Sequence, residues 1–126
     1  MKNQYWPCTM TERDFVDSFN PEELDLINAA CDTFKQWQNL VSYNCDEHLT
    51  IGRAMSISYL FNNPTESEIK PYDYTSSLMC LINDYKYIVA DTYQDFKDSD
   101  EDEELASIFY NRLQCCKDLL GQLAQL

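Results

Sequence analysis

The clearest structural signal in the chain is the stretch NPEELDLINAACDTFKQWQNLV, residues 20–41. It opens with Asn20 as a side-chain cap, Pro21 preset for a first helical turn, and two glutamates at the positive end of the helix dipole. The stretch therefore predicts an amphipathic helix that begins at Asn20 and continues to about Tyr43. The apolar residues that follow the cap recur every three or four positions, which puts them on one face: Leu24, Ile27, Cys31, Phe34, Trp37 and Val41.

Shorter signals flank this stretch. On its N-terminal side, Thr11 can cap a short helix, and the aromatic residues of the arm 1–10 are expected to pack on the body. On its C-terminal side, residues 46–63 are predicted to be helical, after a break near Cys45 or with a kink at Gly52. This helix is expected to offer apolar surface through Ile51, Ala54, Met55, Tyr59 and Phe61.

Residues 64–74, with two prolines, are predicted to form the only long loop of the chain. Thr75 is then placed as the cap of a long helix with a 3.6-residue period. The final helix is expected to start near Ser99 and to reach the C-terminus, with Arg112 as the single interruption of its apolar face. The apolar residues of the long helix are Leu78, Leu81, Ile82, Tyr85, Ile88, Val89 and Phe96.

Composition supports helices joined by few loops. The 126 residues include only two glycines and four prolines, so the many tight turns of a β-sandwich or barrel are hard to build. Apolar residues make up 44% of the chain, enough for a core at this length. We therefore predict an all-α fold, an antiparallel bundle of four to five helices, as a single helical domain over residues 1–126.

Charge restricts the choice of partners. Twenty-two acidic residues against nine Lys and Arg give a formal net charge of −13. This excess repels nucleic acid and anionic membranes and favours a protein with a basic surface, while a homodimer is also compatible with the sequence. Since the chain has no apolar run of membrane-span length and no signal-peptide pattern, a cytoplasmic location is expected.

The residues that carry chemistry are few. The single histidine, His48, stands three positions after Cys45, a spacing that can hold zinc if Cys115 and Cys116 come near. Cysteines on apolar faces act more often as small hydrophobic residues, so no metal and no cofactor are expected. Free thiols are predicted at all six cysteines: Cys8, Cys31, Cys45, Cys80, Cys115 and Cys116.

Catalysis is not expected from this sequence. Two glycines cannot build a phosphate-binding loop, and no local signature of a cysteine nucleophile is present. The alternative is a metal-dependent all-α nucleotide hydrolase, although acids in first helical turns also favour the helix dipole without any function. Its candidate carboxylates are Glu22, Glu23, Glu101 and Glu104.

The run from Asp91 to Glu104 is the strongest feature that a helical core does not explain. Asp84, Asp91, Asp95 and Asp98, hereafter the acidic stripe, are spaced by seven, four and three positions and fall on one predicted solvent-facing side. Neighbouring charges would lie on the order of 5–10 Å apart, close to the spacing of phosphates along a nucleic-acid strand. The full set predicted to bind a partner adds nearby residues: Asp102, Tyr87 and Tyr93.

A second acidic group could widen this surface if the helices pack together. The alternative for any such run is a solvated face or a helix start. The members of the second group are Glu12, Asp14, Asp17, Glu22, Glu23 and Asp25.

The general plan, a small helical protein with this excess of acids, looks like that of phage anti-restriction and anti-CRISPR proteins that imitate DNA. The likeness is one of composition, and no residue is carried over from it. It implies an inhibitor that occupies the basic, nucleic-acid-binding or catalytic surface of another protein. An immunity protein against a basic nuclease would have the same appearance, and a helical assembly subunit is a further alternative.

Overall fold

The computed structural model describes residues 6–39, 45–99 and 103–124, without the side chains of residues 38, 39 and 45–47. Within these ranges the chain forms five α-helices and two short strands, so the all-α prediction is confirmed. In chain order the elements are β1 (Met10–Thr11), α1 (Glu12–Asp17), α2 (Pro21–Lys35), a 3₁₀ helix (Gln36–Asn39), α3 (Cys45–Asn62), β2 (Glu68–Ile69), α4 (Pro71–Lys97) and α5 (Glu103–Ala124).

Helix α2 begins as its sequence predicts. The side-chain oxygen of Asn20 accepts a hydrogen bond from the backbone N–H of Glu23 at 2.8 Å, and the Glu23 carboxylate accepts one from the backbone N–H of Asn20 at 2.9 Å. This reciprocal pair is a capping box. The α-helix ends at Lys35 and tightens into the 3₁₀ helix, so within the described residues it is shorter than predicted.

Trp6, the aromatic residue of the N-terminal arm that the structure describes, packs on the body as predicted. Trp6 is buried against the rings of Phe15 and Phe19, with centroids 5.1 and 5.8 Å away. Its indole N–H donates to the hydroxyl of Ser18 at 3.2 Å, which satisfies the polar end of a buried ring. The predicted cap of α1 is also confirmed, because the Thr11 hydroxyl accepts from the backbone N–H of Asp14.

The predicted loop 64–74 is wrong in its second half. β2 pairs antiparallel with β1, with Met10 opposite Ile69, and α4 begins at Pro71. Thr75 is therefore not a cap: its hydroxyl donates to the carbonyl of Tyr72 inside the first turns. The helix can begin at Pro71 because the N–H that proline lacks would have no partner at the first helical position. The strand β2 was not predicted because it pairs with a segment far away in the sequence, which leaves no local pattern.

Two of the residues assigned to the apolar face of α3 are in fact exposed. Met55 is 45% and Tyr59 72% exposed, whereas Ile51, Ala54 and Phe61 are buried as predicted. Apolar residues occur all round this helix, so its sequence does not select one face.

Helices α4 and α5 pack against each other in antiparallel order. The rings of Phe96 and Phe109 stack at 5.4 Å near one end of the pair, and the Arg112 guanidinium donates to the Tyr85 hydroxyl at 3.2 Å nearer its middle. Arg112 thus joins the two helices instead of merely interrupting an apolar face. For the other helices the predicted bundle packing stays a prediction.

Buried side chains from all five helices form one hydrophobic cluster that runs from Trp6 to Leu123. None of the described helices combines the length and the apolarity that crossing a membrane requires.

Candidate partner-binding site

Three acids of the predicted stripe lie together on the open surface of α4. Asp91, Asp95 and Asp98 are exposed and fall within an arc of about 60° around the helix axis. Asp98 accepts a hydrogen bond from the side-chain amide of Gln94 at 3.0 Å. Asp91 and Asp95 have no hydrogen bond or ion pair within the described residues. We refer to these three residues as the acidic triplet.

The acidic triplet stands where a helix disfavours negative charge. Asp98 is the C-cap of α4, and Asp91 and Asp95 lie in its last two turns, at the negative end of the dipole. Neighbours three and four positions apart also repel each other when they carry like charges. By contrast, Glu103 and Glu104 occupy the first turn of α5, where the dipole favours them. Helix stability therefore accounts for Glu103 and Glu104 but not for the triplet.

Asp84 does not lie on the same open surface, which corrects the prediction that the whole stripe faces solvent. Its side chain is half-buried, and one carboxylate oxygen accepts a hydrogen bond from the Thr50 hydroxyl of α3 at 3.1 Å. The physical reason is that α3 packs beside this part of α4, whereas the acidic triplet lies about two to four turns farther along the helix.

The two predicted tyrosines lie on different sides of α4. Tyr87 is 61% exposed, beside the acidic stripe. Tyr93 turns toward α5, with its ring 5.5 Å from Tyr110 and the Lys97 ammonium 5.9 Å from its centroid, so it is not adjacent to the triplet. Asp102 lies outside the described residues.

Asp84 and Tyr87 meet instead in a cleft of about 510 Å³, the α3–α4 cleft. Its walls come from the end of α2, the 3₁₀ helix, the first half of α3 and the middle of α4. Sequence reasoning missed this cleft, because its lining is drawn from segments far apart in the chain. The lining residues are Phe34, Trp37, Leu49, Thr50, Arg53, Asp84, Tyr87 and Ile88.

Four members of the second acidic group do not widen the acidic stripe. Glu12 accepts hydrogen bonds from the backbone and hydroxyl of Thr65, and Glu23 belongs to the capping box of α2. Glu22 and Asp25 are exposed, but they border a groove of about 250 Å³ against α5 whose lining includes no residue of α4.

Metal-ligating side chains are not gathered in the described part of the chain, where no three His, Cys, Asp or Glu form a group that could hold a metal ion. The side chain of Cys45 and all of Glu101 lie outside that part, so the expectation of no metal stays a prediction. Of the hydrolase candidates, Glu23 caps a helix and Glu104 is exposed in the first turn of α5.

The buried thiols are poor nucleophiles. Burial raises the pKa of Cys31 to about 12, with the charge of Asp32 raising it further. Burial likewise raises the pKa of Cys116 to about 11, with its neighbour Cys115 acting in the same direction. Because the thiolate is the reactive form, both groups are inert at neutral pH.

Comparisons with protein-family models, curated proteins and solved structures find no match for this chain.

Proposed function

We propose that this protein is a cytoplasmic, non-catalytic inhibitor that binds a basic surface of a partner protein through the acidic triplet. Binding would cover a nucleic-acid-binding or catalytic surface of the partner. The net charge of −13 supports this direction, because it speeds encounter with a positively charged surface and repels nucleic acid itself.

One observation carries the proposal: the triplet is exposed and crowded at the end of α4 where it opposes helix stability. Asp91 and Asp95 have no hydrogen bond or ion pair within the described residues, and their position near the C-terminal end of α4 is unfavourable for the helix. A basic partner surface would compensate these charges. The regular spacing of carboxylates along one helix side also suits a surface built to contact successive phosphates.

The test begins with capture of the partner from the source cell and its identification by mass spectrometry. Affinity is then measured for the natural protein and for the variant in which Asp91, Asp95 and Asp98 are all changed to lysine. We expect the affinity to fall by about a hundredfold or more, because close charge pairs at an interface contribute several kcal/mol. Loss of binding with an unchanged circular dichroism spectrum supports the proposal.

A matched control separates local contact from net charge. Changing Asp17, Asp32 and Asp118 to lysine alters the net charge by the same amount, and these acids are also exposed on helices. This control should retain most of the affinity. Equal losses in both variants would show that only overall charge matters, and natural affinity in the triplet variant would leave those residues as a solvated face.

A further inference from the structure

The α3–α4 cleft holds two opposite charges that do not neutralise each other. Asp84 reaches it from α4 and Arg53 from α3, and the two side chains form no ion pair within 4.0 Å. One oxygen of Asp84 is occupied by the Thr50 hydroxyl, while its other oxygen accepts nothing within the described residues. Arg53 likewise has no hydrogen bond there. A ligand with both a donor group and an anion would satisfy both residues.

Aromatic and aliphatic side chains form the remaining walls. Phe34 and Trp37 meet edge to face with centroids 4.9 Å apart on one side, and Tyr87 and Ile88 of α4 line another. The cleft is open to solvent on one side, and its volume of about 510 Å³ is within the usual range for sites that bind a small ligand. Flat, delocalised cations bind well against such rings.

We propose that the cleft binds an arginine residue of the partner that carries a carboxylate close by, such as a C-terminal arginine. The guanidinium lies against the aromatic walls and donates to the free oxygen of Asp84, and the carboxylate pairs with Arg53. This inference rests on the proposed function and names one anchor of the partner.

Arginine fits better than the other occupants. Its planar guanidinium stacks on aromatic rings, which the compact ammonium of lysine cannot do. A mononucleotide would also offer a flat ring and an anion, but the net charge of −13 opposes its approach. Asp91, the first residue of the acidic triplet, follows Ile88 of the cleft by about one turn of α4. A basic segment of the partner can therefore extend from the cleft along the triplet.

The experiment titrates the whole protein with N-acetyl-arginine and follows the indole N–H signals of the two tryptophans by NMR. Trp37 lines the cleft, whereas Trp6 is buried in the α1 region and serves as an internal reference. A Trp37→Phe variant assigns the signals. We expect a saturable shift of Trp37 alone, with weaker binding of N-acetyl-lysine and of N-acetyl-arginine amide, which lacks the carboxylate.

Two substitutions test the named charges. Asp84→Asn should lower the affinity for N-acetyl-arginine by about tenfold, because a charge-assisted hydrogen bond is lost. The amide oxygen of the new side chain can still accept from the Thr50 hydroxyl. Asp73→Asn removes the same charge from the same side of α4, far from the cleft, and should change nothing. Arg53→Gln should lower the affinity for N-acetyl-arginine by about threefold and leave the affinity for N-acetyl-arginine amide unchanged.

Several results would overturn the inference: no saturable shift of Trp37, equal effects of Asp84→Asn and Asp73→Asn, or binding of guanosine monophosphate in place of the arginine probes. The captured partner separates this inference from the proposed function. Partner binding that depends on the acidic triplet but not on Asp84 removes only the anchor. Arginine binding in the cleft together with triplet-independent partner binding removes the proposed role of the triplet.

Discussion

Cys31 and Cys116 make stability depend on pH in the alkaline range. Both side chains are almost fully buried, and burial raises their pKa values to about 12 and about 11, against 9.0 for a free thiol. Above pH 9 the unfolded chain loses these protons while the folded chain keeps them, so unfolding becomes more favourable. The stability that the neutral thiols give the folded chain is fully present below pH 9, and it is lost as the pH rises toward the pKa values of these thiols in the folded chain.

We therefore expect the free energy of unfolding to fall above pH 9, by about 1.4 kcal/mol per pH unit for each thiol. Denaturant unfolding at a series of pH values measures this slope. The Cys31→Ala variant provides the comparison. Below pH 9 it should be less stable than the natural protein, and above pH 9 its free energy of unfolding should fall less steeply with pH, because one of the two thiols is missing. An unchanged slope in that variant would assign the effect to other groups.

Exposure should also divide the thiols by reactivity. Cys8 is exposed, whereas Cys31 and Cys116 are buried, and the five cysteines of the described chain are free. In the native protein a thiol reagent should modify Cys8 quickly and leave Cys31 and Cys116 unmodified. After denaturation without a reductant the count should reach six, which includes Cys45. Four or fewer would indicate a disulfide.

Asp84 shows where residue-level prediction reached its limit. Its position on the acidic side of α4 followed correctly from helical periodicity, but its burial depended on α3 packing beside it. Tyr93 lies on the other side of α4, against Tyr110 of α5, and its predicted role in partner binding stays a prediction. Periodicity gives the direction of a side chain from its own helix, and only tertiary packing decides what it meets.

At the scale of single elements, the same substitution should have opposite effects at two helix ends. Changing Asp91, Asp95 and Asp98 to lysine places cations at the C-terminal end of α4 and replaces their repulsion from the other acids of the chain with attraction, so stability should rise by about 1 kcal/mol. Changing Glu103 and Glu104 to lysine places cations at the N-terminal end of α5 and should lower stability by a similar amount.

Thermal unfolding of both variants measures the two effects side by side. A loss of stability in the triplet variant would show that those acids have structural partners, and would weaken the case that they await a partner protein. The comparison also protects the binding experiment, because a more stable variant that fails to bind cannot owe that failure to unfolding.

Helix starts with a chemical signature were predictable, and boundaries set by distant parts of the chain were not. Asn20 and Thr11 predicted the starts of α2 and α1, because each side chain caps its helix through a backbone N–H three residues later. The strand Glu68–Ile69 depends on Met10–Thr11, which lies far away in sequence, so nothing local indicated it. The α3–α4 cleft was not predictable for the same reason. The sequence indicates Asp84 and Tyr87 as partner-binding residues, but not that they share a cleft with residues of α2 and α3.

At the scale of the whole molecule, one apolar cluster must hold together a chain with a large excess of negative charge. Buried residues from every helix supply the attraction, while the exposed acids repel one another across the surface. An ion pair between Arg13 and Glu66 lies at the surface of the described part of the chain and offsets little of this repulsion. The fold therefore keeps its charge excess at a cost in stability.

Salt should consequently have opposite effects on folding and on partner binding. Raising the ionic strength from low to physiological values shortens the screening length to about 8 Å, which weakens both the self-repulsion of the folded chain and its attraction to a basic partner. We expect the melting temperature of the free protein to rise over this range while its affinity for the captured partner falls. Both dependences should be weaker in the lysine variant of the acidic triplet, because that variant carries a smaller charge excess at the surface concerned. If salt raised the melting temperature but left the affinity unchanged, the acids would affect only the stability of the free protein. Recognition of the partner would then have to rest on apolar contacts.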